Sequence, residues 1–261
     1  MSDDAKSLVQ HQFGAHADGY VTSPTHAAGY SLDRLVERMN PGPGQRMLDL
    51  ATGGGHTALA LARRGAWTVA GDITLPMLRA ARDHIVAQLT GGTACYVRLD
   101  AEQLPFAAST FDAVTCRIAP HHFPDVARFV RECARVVRPG GMVGVVDQLS
   151  PGDPQTARYV NAFERLRDPS HVWAYSEDDW KGFFTGAGLT ILHYEAFDNK
   201  QELIDWADRM GCDAAMVARL RAMLMQAPAP VAAWMMPHVF PTGEAHFVIR
   251  QFLLVGRKSA T

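Results

Sequence analysis

Residues 47–56 read MLDLATGGGH. The run Met47–Leu50 is apolar except for one carboxylate, Asp49, and Gly53, Gly54 and Gly55 follow it at once. A short buried strand that closes on an acid and breaks into glycines is the strand–loop–helix junction of an α/β protein. Glycines let the backbone take φ > 0 and approach a ligand closely. An ordinary tight turn needs one such residue. Three together after an acid point to a ligand, and a glycine-rich loop alone does not say which.

Working outward, the pattern alternates. Arg46 to Ala51 reads as a strand and Thr57 to Arg64 as a helix. Trp67 to Asp72 is a second strand. Thr74 caps the next helix, with Pro76 in its first turn, where a missing N–H does no harm. Ala94 to Asp100 and Phe111 to Arg117 follow as strands, Asp125 to Val137 as a helix, and Met142 to Gln148 as a fifth strand after the break Pro139-Gly140-Gly141. Upstream, Ser31 caps a helix that carries Leu32, Leu35, Val36 and Met39 on one face. Downstream, Asp153 to Arg167 is helical, and Ser176 to Asp179 forms a capping box. Leu189 to Ala196 and Ala245 to Val255 are strands, separated by two helices and the run Pro228 to Pro241. That run holds Trp234, Met235, Met236, His238 and Phe240, a cap over a pocket with an apolar wall for a ligand, or plain core. The whole predicts an α/β fold, a doubly wound, seven-stranded, mostly parallel sheet with helical cap segments. Residues 1–261 are expected to form a single domain, with 46–148 as its ligand-binding core and 1–45, 150–186 and 198–243 as caps or substrate-side segments. Ligands of such sheets bind beyond the carboxyl ends of the strands.

Composition narrows the function. The 261 residues carry a net charge of -2 and are 48% apolar, which suits a large core and gives no basic surplus for a phosphate backbone. Cys95, Cys116, Cys133 and Cys212 form no CxxC pair, so neither a zinc knuckle nor a disulfide framework is suggested, and no metal is expected. MSDDAKSLVQ has no apolar signal core, and no apolar run is long enough to span a bilayer. A cytoplasmic protein without nucleic-acid partners or membrane insertion is expected, with a homodimer left open.

Two further acids end strands. Asp72, in VAGDIT, can accept hydrogen bonds from both hydroxyls of a ribose. Asp100, in YVRLDAEQLPF, can accept from an adenine amine, and the Ala101 N–H can reach a ring nitrogen. A helix-capping or surface aspartate is the lesser alternative at Asp72, whereas Asp100 taken alone is more often a turn residue. Asp49, Asp72 and Asp100 at three successive strand ends are the informative set.

Residues 46–147 resemble the class I S-adenosylmethionine (SAM)-dependent methyltransferases, in the branch of the ubiquinone/menaquinone C-methyltransferases. LDLATGGGH is similar to the family's first motif, with Ala51 where its first glycine stands. GDIT matches the ribose-binding acid, DAEQLPF the adenine segment, FDAVTCRIAPHHFPD the fourth-strand motif and RVVRPGGMVGVVD the fifth. The ATGGGH, CRIAPHHFPD and ERLRDPSHVWA versions resemble a UbiE-like subgroup. The resemblance implies SAM as cofactor and methyl transfer to a small-molecule acceptor, with an antiparallel final strand. It places Asp49, Ala51, Gly53, Gly54 and Gly55 around the methionine part, Asp72 on the ribose, Ile73 and Met77 along the adenine slot, and Asp100 and Ala101 on the adenine. Cys116 and Arg117 border the methionine part through backbone groups. It also implies that the N-terminal segment folds over SAM, where Tyr20 can cover the cation with its ring face; a loop tyrosine is the plainer reading, and His26 lies in the same segment.

Two other functions fit the loop. A nicotinamide-dinucleotide oxidoreductase needs GxGxxG, and here Ala51 and the HTA after Gly55 depart from it. A non-catalytic SAM-binding or regulatory protein keeps the cofactor residues and lacks turnover. On the acceptor side, His121 and His122 follow the fourth strand, and either can act as a general base or simply pack. Adjacent histidines are expected to point apart. Asp147 ends the fifth strand and can orient substrate. Arg165, Arg167, Asp168, His171, Trp173 and Tyr175 cluster in RLRDPSHVWAY, read as a lid, with Arg167, His171 and Tyr175 as substrate-side candidates.

Overall fold

The computed structural model describes residues 6–10, 12, 29–90 and 93–260. Tyr20 and His26 lie outside the described residues. After a helical stretch at 6–10, the elements run α1 (Tyr30–Met39), β1 (Arg46–Leu50), α2 (His56–Arg63), β2 (Trp67–Asp72), α3 (Leu75–Gln88), β3 (Ala94–Arg98), β4 (Phe111–Arg117), α4 (Val126–Val136) and β5 (Val137–Gln148). Then come α5 (Pro154–Arg167), α6 (Glu177–Gly186), β6 (Leu189–Glu202), α7 (Leu203–Asp208), α8 (Ala214–Met225), α9 (Ala229–Met235), β7 (His238–Val239) and β8 (Ala245–Lys258).

The sheet order is β3-β2-β1-β4-β5-β8-β6, with β7 paired to β8. Strands β1 to β5 pair parallel, and β8 runs antiparallel between β5 and β6. The mostly parallel sheet and the antiparallel last strand are as expected. The two residues of β7 make eight strands where seven were predicted. Such a short pairing carries no periodic signal.

Boundaries moved where chemistry beyond the local pattern decides. β5 begins at Val137 rather than after Gly141, because Phe111 pairs with Val137 before the register shifts to Ala113 with Met142. β6 runs on to Glu202, held by pairing with β8 as far as His246. β3 stops at Arg98. Three helices, not two, fill the connection before β8. Ser31 is buried inside α1, whose N-cap is Gly29, and Thr74 is an N-cap whose side chain makes no capping bond. The Ser176–Asp179 box caps its helix as predicted, and Asp125 and Asp153, read only as helix starts, are side-chain caps as well.

Apolar faces explain the layers. On one side of the sheet, Leu48, Leu50, Val114, Phe129, Val143, Trp180 and Phe252 form a core with α4 and α6. On the other, Leu35, Met39, Met47, Leu61, Val146 and Leu253 seat α1 and α2. A further cluster, Phe163, Leu203, Trp206, Leu220, Met235 and Phe247, packs the C-terminal helices on the far end of β8. Phe163 and Trp206 stack there at 5.2 Å and 6°. Trp234 and Met235 belong to this packing, which is the plain-core alternative read for that run. Met236 is exposed.

Candidate active site

The loop after β1 is held by two buried acids. Asp49 accepts from the Thr52 hydroxyl at 2.7 Å and the Thr115 hydroxyl at 2.9 Å. Burial pushes its carboxyl up to about 6, against those hydrogen bonds and the pull of Arg117. Asp72 accepts from the Gly53 N–H at 3.0 Å and the Thr74 N–H at 2.8 Å. Burial raises it too, and those N–H groups oppose the shift. The glycine loop is thus strung between the ends of β1 and β2. Ala51, at the head of the loop, has φ 50°, a left-handed conformation that costs an L-residue about 1–2 kcal/mol. The glycine of the related motif relieves that strain. Gly55 has φ 82°, and a Cβ there would lie 3.0 Å from Ala81 Cβ. It serves the packing of α2 on α3 and does not line the cleft, a correction to its placement at the cofactor.

Above the loop lies a cleft walled by Asp49, Gly53, Thr57, Asp72, Met77 and Arg117, among others. It continues into a space reaching Leu99, Asp100, Ala101 and Lys6, and Ala51, Asp72, Ile73, His122 and Phe123 line both. Arg117 sits inside, its Nε donating to the Thr57 hydroxyl at 3.1 Å. Burial lowers it to about 10, with Asp49 opposing. Cys116 is fully buried in the core and has no side-chain access to the cleft. At the far end Asp100 accepts from Lys6 Nζ at 2.7 Å and from the Glu102 N–H at 2.9 Å, so ion pair and turn coexist there.

A 3-10 turn, Pro120–His122, sets the two histidines after β4. Their rings do not point apart: the centroids are 4.1 Å from each other. His121 Nδ1 lies 2.6 Å from the Asp147 carboxylate, away from the cleft. Burial works against its protonation, and Asp147 overrides burial and raises its pKa. Only His122 lines the cleft. Its Nδ1 meets the Ser170 carbonyl at 3.0 Å, and a carbonyl only accepts, so Nδ1 carries the hydrogen. Burial, and after it His121, lowers His122 to about 3.

The other acceptor-side candidates stand behind this turn rather than on the cleft. Asp147 is spent on His121. His171 Nε2 bonds Asn161 at 2.8 Å. Arg167 donates to the Trp206 carbonyl at 2.9 Å and lies over its ring. Tyr175 packs edge-on against Phe183 at 5.0 Å. The lid expected of RLRDPSHVWAY is a buried polar support. Sequence reasoning missed Thr52, Thr57, Ile118 and Phe123 on the cleft wall. Thr52 and Phe123 lay inside quoted motifs, and their neighbours drew the attention. Among the described residues no helix is long and apolar enough to cross a membrane, and no group of metal-ligating side chains occurs.

The chain has relatives over most of its length. A methyltransferase-domain family model matches residues 48–145. The uncharacterized methyltransferase YcgJ of Bacillus subtilis (strain 168) is 34% identical over 203 residues, 77% of this chain and 79% of that protein. A crystal structure described as a methyltransferase of Bacillus halodurans C-125 superposes with a TM-score of 0.84 at 33% identity, covering 88% of this chain and all (100%) of the other. The chain is a class I SAM-dependent methyltransferase. Demethylmenaquinone methyltransferase of Corynebacterium kroppenstedtii is 39% identical over 118 residues, 45% of this chain and 48% of that enzyme. The methyltransferase cofactor is S-adenosyl-L-methionine, and the cleft suits its chemistry. A buried carboxylate and a buried guanidinium at one end complement an amino acid's two charges, and Asp72 faces the middle of the cleft.

Proposed function

We propose that this methyltransferase acts on a small-molecule acceptor, with residues 46–148 binding the donor and 1–45, 150–186 and 198–243 closing over it within a single domain of residues 1–261. The observation that carries this reading is the continuity of one cleft from Asp49 and Arg117, past Asp72, to Asp100 and Ala101. In it Asp72 holds the ribose hydroxyls, Ala101 and Asp100 meet the adenine, Ile73 and Met77 flank its ring, and Asp49, Gly53, Gly54 and Arg117 surround the amino-acid part. Bound SAM supplies an electrophilic methyl group and a neutral leaving group, so no acid is needed. The chain's part is to align the acceptor and, for some acceptors, to take its proton.

His122 is the acceptor-side group, because it alone of the two histidines reaches the cleft. His121 and Asp147 position it. Neutral across the physiological range, His122 accepts a hydrogen bond from an acceptor O–H or N–H. A small acceptor is supported by the net charge of -2, which offers no field for a polyanion. Four free thiols suit a reducing, cytoplasmic setting. Calorimetry with S-adenosylhomocysteine (SAH) tests the donor cleft: wild type binds, NAD does not, and an absence of SAH binding sinks the reading. Labelled SAM with a panel of acceptors then separates an enzyme from a protein that binds SAM without turnover.

A further inference from the structure

The two buried histidines of the Pro120–His122 turn differ in what stands behind each ring. His121 Nδ1 meets a carboxylate directly, that of Asp147 at 2.6 Å. Behind His122 a serine is interposed between ring and acid. The Ser170 carbonyl lies 3.0 Å from His122 Nδ1 and the Ser170 hydroxyl 3.2 Å. That hydroxyl donates its hydrogen to Asp168 Oδ1 at 2.6 Å, and the Ser170 N–H donates to the same oxygen at 2.9 Å. Both oxygens that Ser170 turns to the ring therefore act as acceptors, and Nδ1 supplies the hydrogen. With that hydrogen on Nδ1, the lone pair of the neutral ring belongs to Nε2.

Asp168 is an unfavourable residue for its place. It is the C-cap of α5, the negative end of the helix dipole, where a carboxylate is destabilising. It is also buried, and a buried carboxylate is costly unless it is well hydrogen-bonded. Glycine or asparagine ends a helix without either burden. What Asp168 gains is a grip on Ser170. The segment that follows is fastened to the histidine turn through its backbone, because the Val172 and Trp173 N–H groups both donate to the His121 carbonyl, at 2.9 and 3.0 Å. His171, between them in sequence, turns to Asn161. The second oxygen of Asp168 stands 4.0 Å from His122 Nε2, too far for a hydrogen bond and near enough for charge. A proton taken up at Nε2 would have that carboxylate beside it.

We propose that Asp168, acting through Ser170, is the positioning residue that fixes His122 in its Nδ1–H form and so makes Nε2 the atom that accepts a proton. The inference rests on His122 as the acceptor-side group and names what orients it. In the step it serves, the proton passes from the acceptor's O–H or N–H to Nε2. The electron pair so released forms the bond to the methyl carbon, and the carbon–sulfur pair stays on the departing sulfur.

The test reads the ring itself and needs no acceptor. Full-length protein labelled with nitrogen-15 in its histidine rings is examined by NMR at neutral pH, with SAH bound, and the His122 signals are assigned by their loss in His122→Asn. Wild type is expected to show His122 with its hydrogen on Nδ1. In Asp168→Ala the larger share of that signal should move to the Nε2–H form, with SAH affinity unchanged by calorimetry. Asp168→Asn keeps an oxygen to accept from Ser170 and should restore the Nδ1–H form, a rescue that a merely structural role of the charge would not give. Ser170→Ala removes the hydroxyl alone and reads the same link, with a smaller shift, should Asp168→Ala fail to fold. A wild-type ring in the Nε2–H form, or an unmoved ring in every folded variant, overturns the role of Asp168. SAH binding in the same samples leaves the methyltransferase reading standing in that case, and its absence counts against that reading whatever the ring shows.

Discussion

Two hollows of this molecule, the glycine-loop cleft and a second cavity beside it, are built in opposite ways. The donor cleft comes from the ends of β1 to β4, so its acids and glycines lie within one continuous stretch, and each sits where a strand must stop. The second cavity, at the carboxyl edge of the sheet, draws Tyr30, Ile118, Phe197 and Gln251 from four separate regions. The cleft is shaped by a loop that Asp49 ties down through the Thr52 and Thr115 hydroxyls and Asp72 through the Gly53 and Thr74 N–H groups. The second cavity is shaped by the sheet register instead. A conserved ligand can be met by geometry that neighbouring residues encode. A variable ligand needs a wall whose residues can change one at a time without disturbing a loop.

If that division is right, substitutions should fall on one side or the other. The largest expected effect is on turnover: His122→Ala lowers kcat by about 100- to 10,000-fold if the acceptor must lose a proton, with SAH affinity nearly intact. A few-fold change at saturating acceptor removes the base and leaves orientation as the source of catalysis. Next, Asp72→Ala should weaken SAH by about 1.5–3 kcal/mol, the range for hydrogen bonds to a charged group. An unchanged SAH affinity would remove Asp72 from the ribose site.

Burial gives a pH signature of similar size. His122 falls from 6.5 to about 3 on folding. A depressed pKa gives stability that is present above the unfolded value and is lost as pH falls through 6.5 towards the folded value. At pH 5 that loss is on the order of 2 kcal/mol. His122→Asn should therefore narrow the gap in Tm between pH 7 and pH 5. An unchanged gap would mean that the ring is not kept neutral. The smallest effect belongs to Ala51→Gly, which relieves φ 50° and should raise stability by up to about 1 kcal/mol. A drop in Tm would show that Ala51 is not strained.

Legibility in the sequence followed the same division. β1 to β5 and their helices were readable because each packs its own periodic face. Asp49, Asp72, Asp100 and Ala101 were readable because strand ends are local features. Ser31 was read as a cap, and burial of its side chain against the sheet edge cannot be seen from its neighbours in sequence. His121 and His122 were expected to diverge, yet a 3-10 turn lets both rings fold to the same side. Asp147, Arg167, His171 and Tyr175 looked like substrate groups because they are polar or aromatic after an active strand. Their partners, His121 and Trp206 far off in sequence and Asn161 and Phe183 on neighbouring helices, decided their work. Ile118 passed unremarked inside the quoted CRIAPHHFPD motif, and Phe197 and Gln251 drew no notice at all, since nothing short of the sheet register brings them together.

The place of β8 has a consequence for the order in which the chain can fold. β8 lies between β5 and β6, paired to β5 from Met142 to Gln148 and to β6 from Leu189 to Glu202. β6 therefore has no seat until Ala245–Lys258 has left the ribosome. Through the synthesis of roughly a hundred residues after Gln148, the flank of β5, with Val143 and Val145, is an open strand edge. Such edges invite pairing with other chains. The last strand closes that edge, joins β6 to the sheet and completes the wall that carries Gln251, so completion of the second cavity and protection from aggregation are the same late event.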